Sequence, residues 1–463
     1  MATSHLTHAV ESLAGRLRGE LIRPDDPGYD VARRVWNGMI DRHPALIVRA
    51  AAVDDVVAGV NFAREQGLLV SVRGGGHNVA GHATNDGGLV IDLSAMKKIS
   101  IDPQARVARA EGGVTWGELD AAAQVHGLAT PGGVFSDTGI AGLTLGGGFG
   151  WIRNKYGLSA DNLVGAEVVT ADGNVVRASA TEHPDLLWAL RGGGGNFGVV
   201  TTFEFSLHPL GPEVFMVFAF HDGSGDAMKK AIQFYRDYST TAPDEVSTLI
   251  AVGQVPPIDL FPNEIHMRPF VLFGGVYAGP VEDGKRVLQP MISFAEPLVD
   301  HSGVMPYVDA QKMFDEDYPN GMRYYWKSLN LTRLDDDVID VIVKHARKQP
   351  SPLSTIDLWQ VGGAVARGGD GAFYGRQAAF LLSPEANWED PADDEANISW
   401  LRALIADAEQ FSDGSRYLNF AGFQEEGDEM IRSAFGPNYE RLVAVKKAYD
   451  PGNLFRLNQN IKP

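Results

Sequence analysis

The sequence predicts a protein of mixed α and β structure in two unequal parts, and three observations carry that prediction. Apolar runs of strand length alternate with amphipathic stretches of helical period along nearly the whole chain. Glycine is gathered into three tracts that all lie before residue 210. After His208-Pro-Leu-Gly-Pro212 those tracts stop and longer strand and helix patterns take over. At roughly 150 residues per domain, a chain of 463 residues has room for two or three domains with their own cores.

Taken in order, MATSHLTHAVESLAGRLRGEL mixes charges with apolar residues at helical spacing and lacks the continuous apolar centre of a signal peptide. VDDVVAGVNFAREQG predicts a helix and LLVSVRG a strand, which runs into RGGGHNVAGH. GLVIDLS and ARVARAEGG read as strands. Thr115-Trp-Gly-Glu118 is a capping box, so a helix starts there, and Gly127 ends it. The second tract, TPGGVFSDTGIAGLTLGGGFGWI, fills 130–152, and the third, LRGGGGNFGVVTTFEF, fills 190–205. Between them Ala171-Asp172-Gly173 predicts a hairpin turn, and HPDLLWAL a helix with Pro184 in its first turn. We therefore divide the chain into 1–210, 211–415 and a closing segment 416–463, whose helix NYERLVAVKKAYD stops at Pro-Gly-Asn and returns to the first part.

The formal net charge is −19 and no run of basic residues occurs, so the attraction to phosphate backbones that nucleic-acid binders need is missing. Nucleic acids and anionic membranes are excluded as expected partners. With no cysteine there is no disulfide, no thiolate metal site and no cysteinyl bond to a cofactor. No metal-ligand pattern is read, and no stretch reaches the ~18 apolar residues of a membrane span. The expected location is cytoplasmic, and the expected state a monomer or homodimer. Asn330-Leu-Thr332 and Asn397-Ile-Ser399 match the glycosylation sequon, a pattern that arises often by chance.

Gly193-Gly-Gly195-Asn-Phe-Gly198 satisfies G-x-G-x-x-G, but its context refuses the dinucleotide fingerprint. That fingerprint follows a strand and opens a helix, whereas here a helix precedes and the β-branched run VVTTFEF follows. No P-loop pattern occurs either. What remains is a phosphate cradle of loop amides, since consecutive glycines let N–H groups converge on an anion without obstruction. Arg73 would add charge beside it, and His77 places a nucleophilic imidazole at its lip. For any single tract a pair of tight turns is the plain alternative.

Together RGGGHN, TPGGVFSDTGIAGLTLGGGFGW, PDLLWALRGGGGNFGVVT and YDPGNLF…NQNI resemble the berberine-bridge-enzyme-like branch of the FAD-linked oxidases, in the vanillyl-alcohol-oxidase/PCMH superfamily. The resemblance implies an α+β fold: a two-part PCMH-type FAD-binding domain plus a substrate domain whose antiparallel sheet, flanked by helices, roofs the flavin. It implies FAD bonded covalently through His77. Phe135 occupies the position of the family's second, cysteinyl link, so this chain resembles the histidyl-only subgroup. The cofactor-binding residues it implies are Arg73, Gly74, Gly75, Gly76, Asn78, Gly81 and His82 in the first tract. In the second they are Pro131, Gly132, Ser136, Asp137, Thr138, Gly139, Gly142, Gly146, Gly147 and Gly148. In the third they are Gly194, Gly195, Asn196, Phe197, Gly198, Val199 and Val200, with Asn458 and Asn460 near the C-terminus. Ile140 matches the position that sets oxygen access in the family.

Hydride transfer needs a substrate C–H held over the flavin and a group that takes a proton. Alternation along Arg323-Tyr-Tyr-Trp-Lys327, which resembles the family's YWKS element, separates Tyr324 and Trp326 from Tyr325 and Lys327. On Ile356–Gly363, Asp357, Trp359 and Val361 share one face and Leu358, Gln360 and Gly362 the other. Catalytic candidates are Tyr324, Lys327, Gln360, Tyr417 and Asn419, the last two by likeness to the family's Y-x-N-Y element. The expected reaction is oxidation of a small or medium alcohol, amine or phenol, with O2 as acceptor. A dehydrogenase using another acceptor, an oxidative cyclase and a non-catalytic small-molecule binder remain as alternatives.

Overall fold

The computed structural model describes residues 2–259, 261–423 and 427–463, with side chains from Thr7 onward at the N-terminus. Before residue 210 it forms two main sheets among the described residues, beside a short two-stranded pairing of Leu128–Ala129 with His208–Pro209. In the first, Glu20–Ile22, Leu46–Arg49, Leu89–Asp92 and Val70–Arg73 lie in that spatial order, and the last three run parallel. The parallel pairing forces a crossover, which the helix Val53–Gln66 supplies, ending at left-handed Gly67. Its buried Val56, Val60 and Phe62 pack with Val48, Leu89 and Ile91.

The second sheet is antiparallel, ordered Ile99–Asp102, Val107–Glu111, Val199–Ser206, Leu163–Val169 and Val175–Ser179. Its last two strands form the hairpin read from Asp172-Gly173, and Gly173 has φ 84° as that turn requires. The helix Trp116–Gln124 starts where the capping box places it: the Glu118 carboxylate accepts from the Thr115 N–H at 2.8 Å. The helix Pro184–Leu190 precedes the third glycine tract and the strand Val199–Ser206 follows it, so the rejected dinucleotide fingerprint is indeed absent there.

From Glu213 to Trp388 the chain builds one large antiparallel sheet. Its path is Pro297–Asp300, Glu213–Asp222, Pro269–Tyr277, Val246–Gln254, Thr355–Gln360, Phe380–Trp388 and Arg323–Trp326, with Gly303–Pro306 and Leu329–Leu331 paired alongside. One face is covered by Ala227–Ser239, Asp336–Ala346 and Asp394–Ala408, which bury Ile232, Ile342 and Leu401 against it. Each such side chain contributes about 1.5–3 kcal/mol by leaving water. The other face packs on the glycine-rich first part through Phe218, Leu249, Trp359, Trp151 and Phe149.

The closing segment docks through the helix Tyr439–Tyr449, whose Leu442 and Val445 join the core of the second sheet. Its Lys446 is fully buried and donates to the Asn196 and Phe455 carbonyls and to Asp450 at 2.7 Å. Both sequons are internal: Asn330 and Asn397 are 2% and 1% exposed, which removes them as glycosylation acceptors in the folded chain.

Candidate active site

The three glycine tracts converge on one cavity. Its wall carries Gly74, Gly75, Gly76, His77 and Asn78 from the first, Thr138, Gly139, Gly142 and Gly146 from the second, and Gly194, Gly195, Asn196, Gly198 and Val200 from the third. Asn458 and Gln459 add the C-terminal side, while Trp36, Phe135, Trp326, Asn419 and Phe420 close the opposite end. The first two tracts lie back to back, since a Cβ on Gly75 would stand 2.3 Å from the Gly139 nitrogen. Nothing else than glycine fits there.

The lining suits a large polar cofactor. On the wall, His82 Nδ1 and Asn458 Oδ1 are buried without a hydrogen-bond partner among the described residues, a condition that native interiors rarely tolerate unless a ligand supplies the partner. Burial, with Arg42 adding to it, pushes the His82 imidazole down to about 4, so it stands neutral at the wall.

At the lip, the His77 ring is held from three sides. Nε2 lies 3.1 Å from Asp137 Oδ1, and Nδ1 lies 3.3 Å from Thr138 Oγ1. The Trp36 indole stacks on the imidazole with centroids 5.0 Å apart. Trp36 is itself fixed by Tyr324, stacked at 3.7 Å, and by its Nε1–H donated to the Tyr318 carbonyl.

The sheet above this end carries acids on the face turned to the first part. Register puts Asp357 opposite Ser383, and Glu385 between Thr355 and Trp326. Asp357 and Glu385 are thus diagonal neighbours on one face, both nearly inaccessible. Tyr318 Oη donates to Glu385 at 2.7 Å, and Asp357 Oδ1 has no partner. Burial pushes the Asp357 carboxyl up to about 7, and burial together with the Asp357 charge pushes Glu385 well above the usual range. The two therefore hold a proton between them near neutral pH. Trp326, the cross-strand partner of Glu385, lines the cavity together with Phe420, whose ring centroid lies 5.6 Å from Trp326 and 6.4 Å from Trp359.

Several sequence expectations need correction. Arg73 adds no charge to the cradle, because its guanidinium turns away to Asp92 at 2.7 Å and to the Ala32 and Arg34 carbonyls. Gly81 packs against Ile40, Gly132 against Trp116, Gly147 against Phe373 and Gly148 against Ser159; these glycines allow close packing and do not line the cavity. Pro131, Phe197, Val199 and Asn460 also lie off the wall, and Phe197 and Val199 are core residues. Ser136 spends its N–H and hydroxyl on Asp315, and Asp137 reaches the site through His77. Ile140 is fully buried in the core of the second sheet, away from the wall.

Among the catalytic candidates, only Asn419 lines the cavity. Tyr324 is committed to the Pro319 carbonyl at 2.6 Å and lies in the Trp36 stack. Lys327 shares the far face with Tyr325; burial and the nearby Arg416 and Arg402 bring its ammonium down to about 8 there. Gln360 also faces the helices, bonded to the Ser239 carbonyl and Thr248, because strand alternation turns Asp357 and Trp359 inward instead. Tyr417 is buried behind the wall, its oxygen accepting from the Gly148 and Phe149 amides and from Asn419. The sequence reading passed over Trp36, Tyr318 and Glu385. An acid inside the apolar run FLLSPEANW was the available signal for Glu385.

A two-part α+β cradle for a dinucleotide, with an aromatic and acidic sheet over one end, defines a flavin-dependent oxidoreductase. A family model described as "FAD binding domain" matches residues 44–179, and "Berberine and berberine like" matches 416–462. (R)-6-hydroxynicotine oxidase of Paenarthrobacter nicotinovorans is 32% identical over 96% of this chain and 97% of its own. The solved 6-hydroxy-D-nicotine oxidase of Arthrobacter nicotinovorans superposes with a TM-score of 0.86 at 31% identity, over 96% of this chain and 98% of that one. Glucooligosaccharide oxidase of Sarocladium strictum is 27% identical over 96% of this chain and 92% of its own. The chain belongs to the berberine-like FAD-linked oxidoreductases, and it binds FAD.

Proposed function

We propose that the protein oxidises a small or medium organic alcohol, amine or phenol by two electrons, using FAD bonded covalently to His77 and O2 as the acceptor. Bound there, the flavin would supply a hydride acceptor and pass its electrons on to oxygen. The observation that carries the reading is the position of His77, at the lip of a cavity walled by all three glycine tracts. Phe135 stands on that wall beside Tyr318 and Trp326, where it leaves the imidazole as the sole covalent attachment.

The remaining chemistry belongs to the chain's own residues. Gly74–Gly76 and Gly194–Gly195 offer bare backbone to a phosphate group, and Asn458 and His82 offer side-chain atoms. Trp326 and Phe420 exclude water from the reacting end and give a flat organic molecule a surface to lie on. The Asp357 and Glu385 pair, off the wall but with Glu385 directly across the strands from the wall residue Trp326, would take up the proton that the substrate hydroxyl or ammonium gives up, its burial bringing Asp357 to about 7. Asn419, tied to Tyr417 and the Leu143 carbonyl, positions the substrate from the wall. A relative acting on a nicotine derivative and another on a glucooligosaccharide support the oxidase chemistry and leave the substrate of this chain to its own roof residues.

The test is intact-mass spectrometry of the purified holoprotein and of His77→Ala, with peroxide release during turnover. Added FAD mass in the first and its loss in the second are expected. An unmodified chain with extractable pigment overturns the proposal.

A further inference from the structure

From the geometry around His77 we infer that Asp137 is the positioning residue for covalent flavin attachment, fixing the imidazole so that Nδ1 carries the free lone pair. This inference rests on the histidyl link proposed above.

Asp137 Oδ1 faces Nε2 at 3.1 Å. Burial works against a charge on Asp137, yet hydrogen bonds from His77 and Asn320 hold its carboxyl below the usual range. An ionised carboxylate only accepts hydrogen bonds, so the N–H of a neutral imidazole lies at Nε2. Nδ1 is then the nucleophile, and among the described residues its hydrogen-bond neighbour is a hydroxyl, Thr138 Oγ1 at 3.3 Å, a long contact that is easily given up. Asn320 Nδ2 donates to the other carboxylate oxygen at 3.3 Å and holds Asp137 from turning, while Trp36 stacked at 18° sets the ring plane. The side chain of His77 is 12% exposed and that of Asp137 is 47% exposed, so a proton passed to the carboxylate has a route to water.

The step balances as follows. A bond forms between Nδ1 and the flavin 8α-methyl carbon, and that carbon loses one proton. The imidazole loses its Nε2 proton through Asp137. Two electrons are left on the ring, which dioxygen removes with both protons to give hydrogen peroxide.

Full-length apoprotein from flavin-limited cells, incubated with FAD in air, gives attachment rates by intact mass, with noncovalent FAD binding measured separately. Wild type is expected to reach complete attachment. Asp137→Ala and Asp137→Asn are expected to bind FAD within about threefold of wild type but to attach it at least tenfold more slowly. Asp137→Glu should recover part of the rate. Formate, small enough for the half-exposed site, should accelerate Asp137→Ala in a saturable way, which a structural defect would not permit. Attachment at the wild-type rate in both Asp137→Ala and Asp137→Asn overturns the inference and leaves the covalent oxidase standing. Slow attachment matched by equally weak FAD binding, with no response to glutamate or formate, overturns it too. A wild type that attaches no flavin overturns the parent proposal instead.

Discussion

Replacing Asp357 with asparagine tests the acidic roof at two levels. In the folded chain its carboxyl is moved from 3.8 to about 7, with burial as the leading cause. A folded value above the unfolded one means that stability is full below about pH 4 and is lost as pH rises through about 7. Ionising the group in place costs roughly 4 kcal/mol, an upper figure because Glu385 shares the proton. At ~2.1 cal/mol/K per residue, 463 residues unfold with about 1 kcal/mol/K, so the effect is about 4 °C in Tm. Thermal melts of wild type and Asp357→Asn at pH 5 and pH 8.5 isolate the titration of the pair, since groups other than Glu385 titrate alike in both. Relative to the variant, wild type should lose on the order of 3 °C between the two pH values, because about two of the roughly three pH units between 3.8 and about 7 lie above pH 5. In stopped-flow reduction, the wild-type rate should rise with pH through about 7. The variant should be about 10²–10⁴-fold slower, the range for a lost general base. Melting curves that move in parallel with pH, together with an unchanged rate, would refute the assignment of this pair as proton acceptor.

Other expectations follow from the same geometry. Lys327→Ala and Gln360→Ala should each leave the reduction rate within about twofold, because both side chains face the helices; a drop of 10² or more would return them to the site. Gly75→Ala should abolish flavin loading, read as loss of the visible spectrum, since its methyl would overlap the Gly139 backbone. Lys446→Met strands Asp450 in the core and should destabilise by about 3–5 kcal/mol in denaturant titration. It should also loosen the loop at Asn196 and weaken noncovalent FAD binding.

Much of this site was legible in the sequence because its determinants are local. Glycine runs are read without knowing the fold, since no other residue lets amides converge on a phosphate group, and His77 follows its run directly. The helix and strand flanking the third tract likewise excluded the wrong nucleotide motif. Facing was harder. A strand's period of two tells which residues share a face but never which face meets the cofactor, so Gln360 was favoured over Asp357 on the same strand.

The chain by itself determined the cofactor class and the absence of any cysteine that could bond to it, because each depends on residue type and near neighbours. Only tertiary structure decided what long-range pairing creates. It turned Arg73 onto Asp92, brought Trp36 from the N-terminal segment onto His77, and set Glu385 beside Asp357 through sheet register. It also raised those carboxyls, since desolvation belongs to the packed interior and has no counterpart in an extended chain.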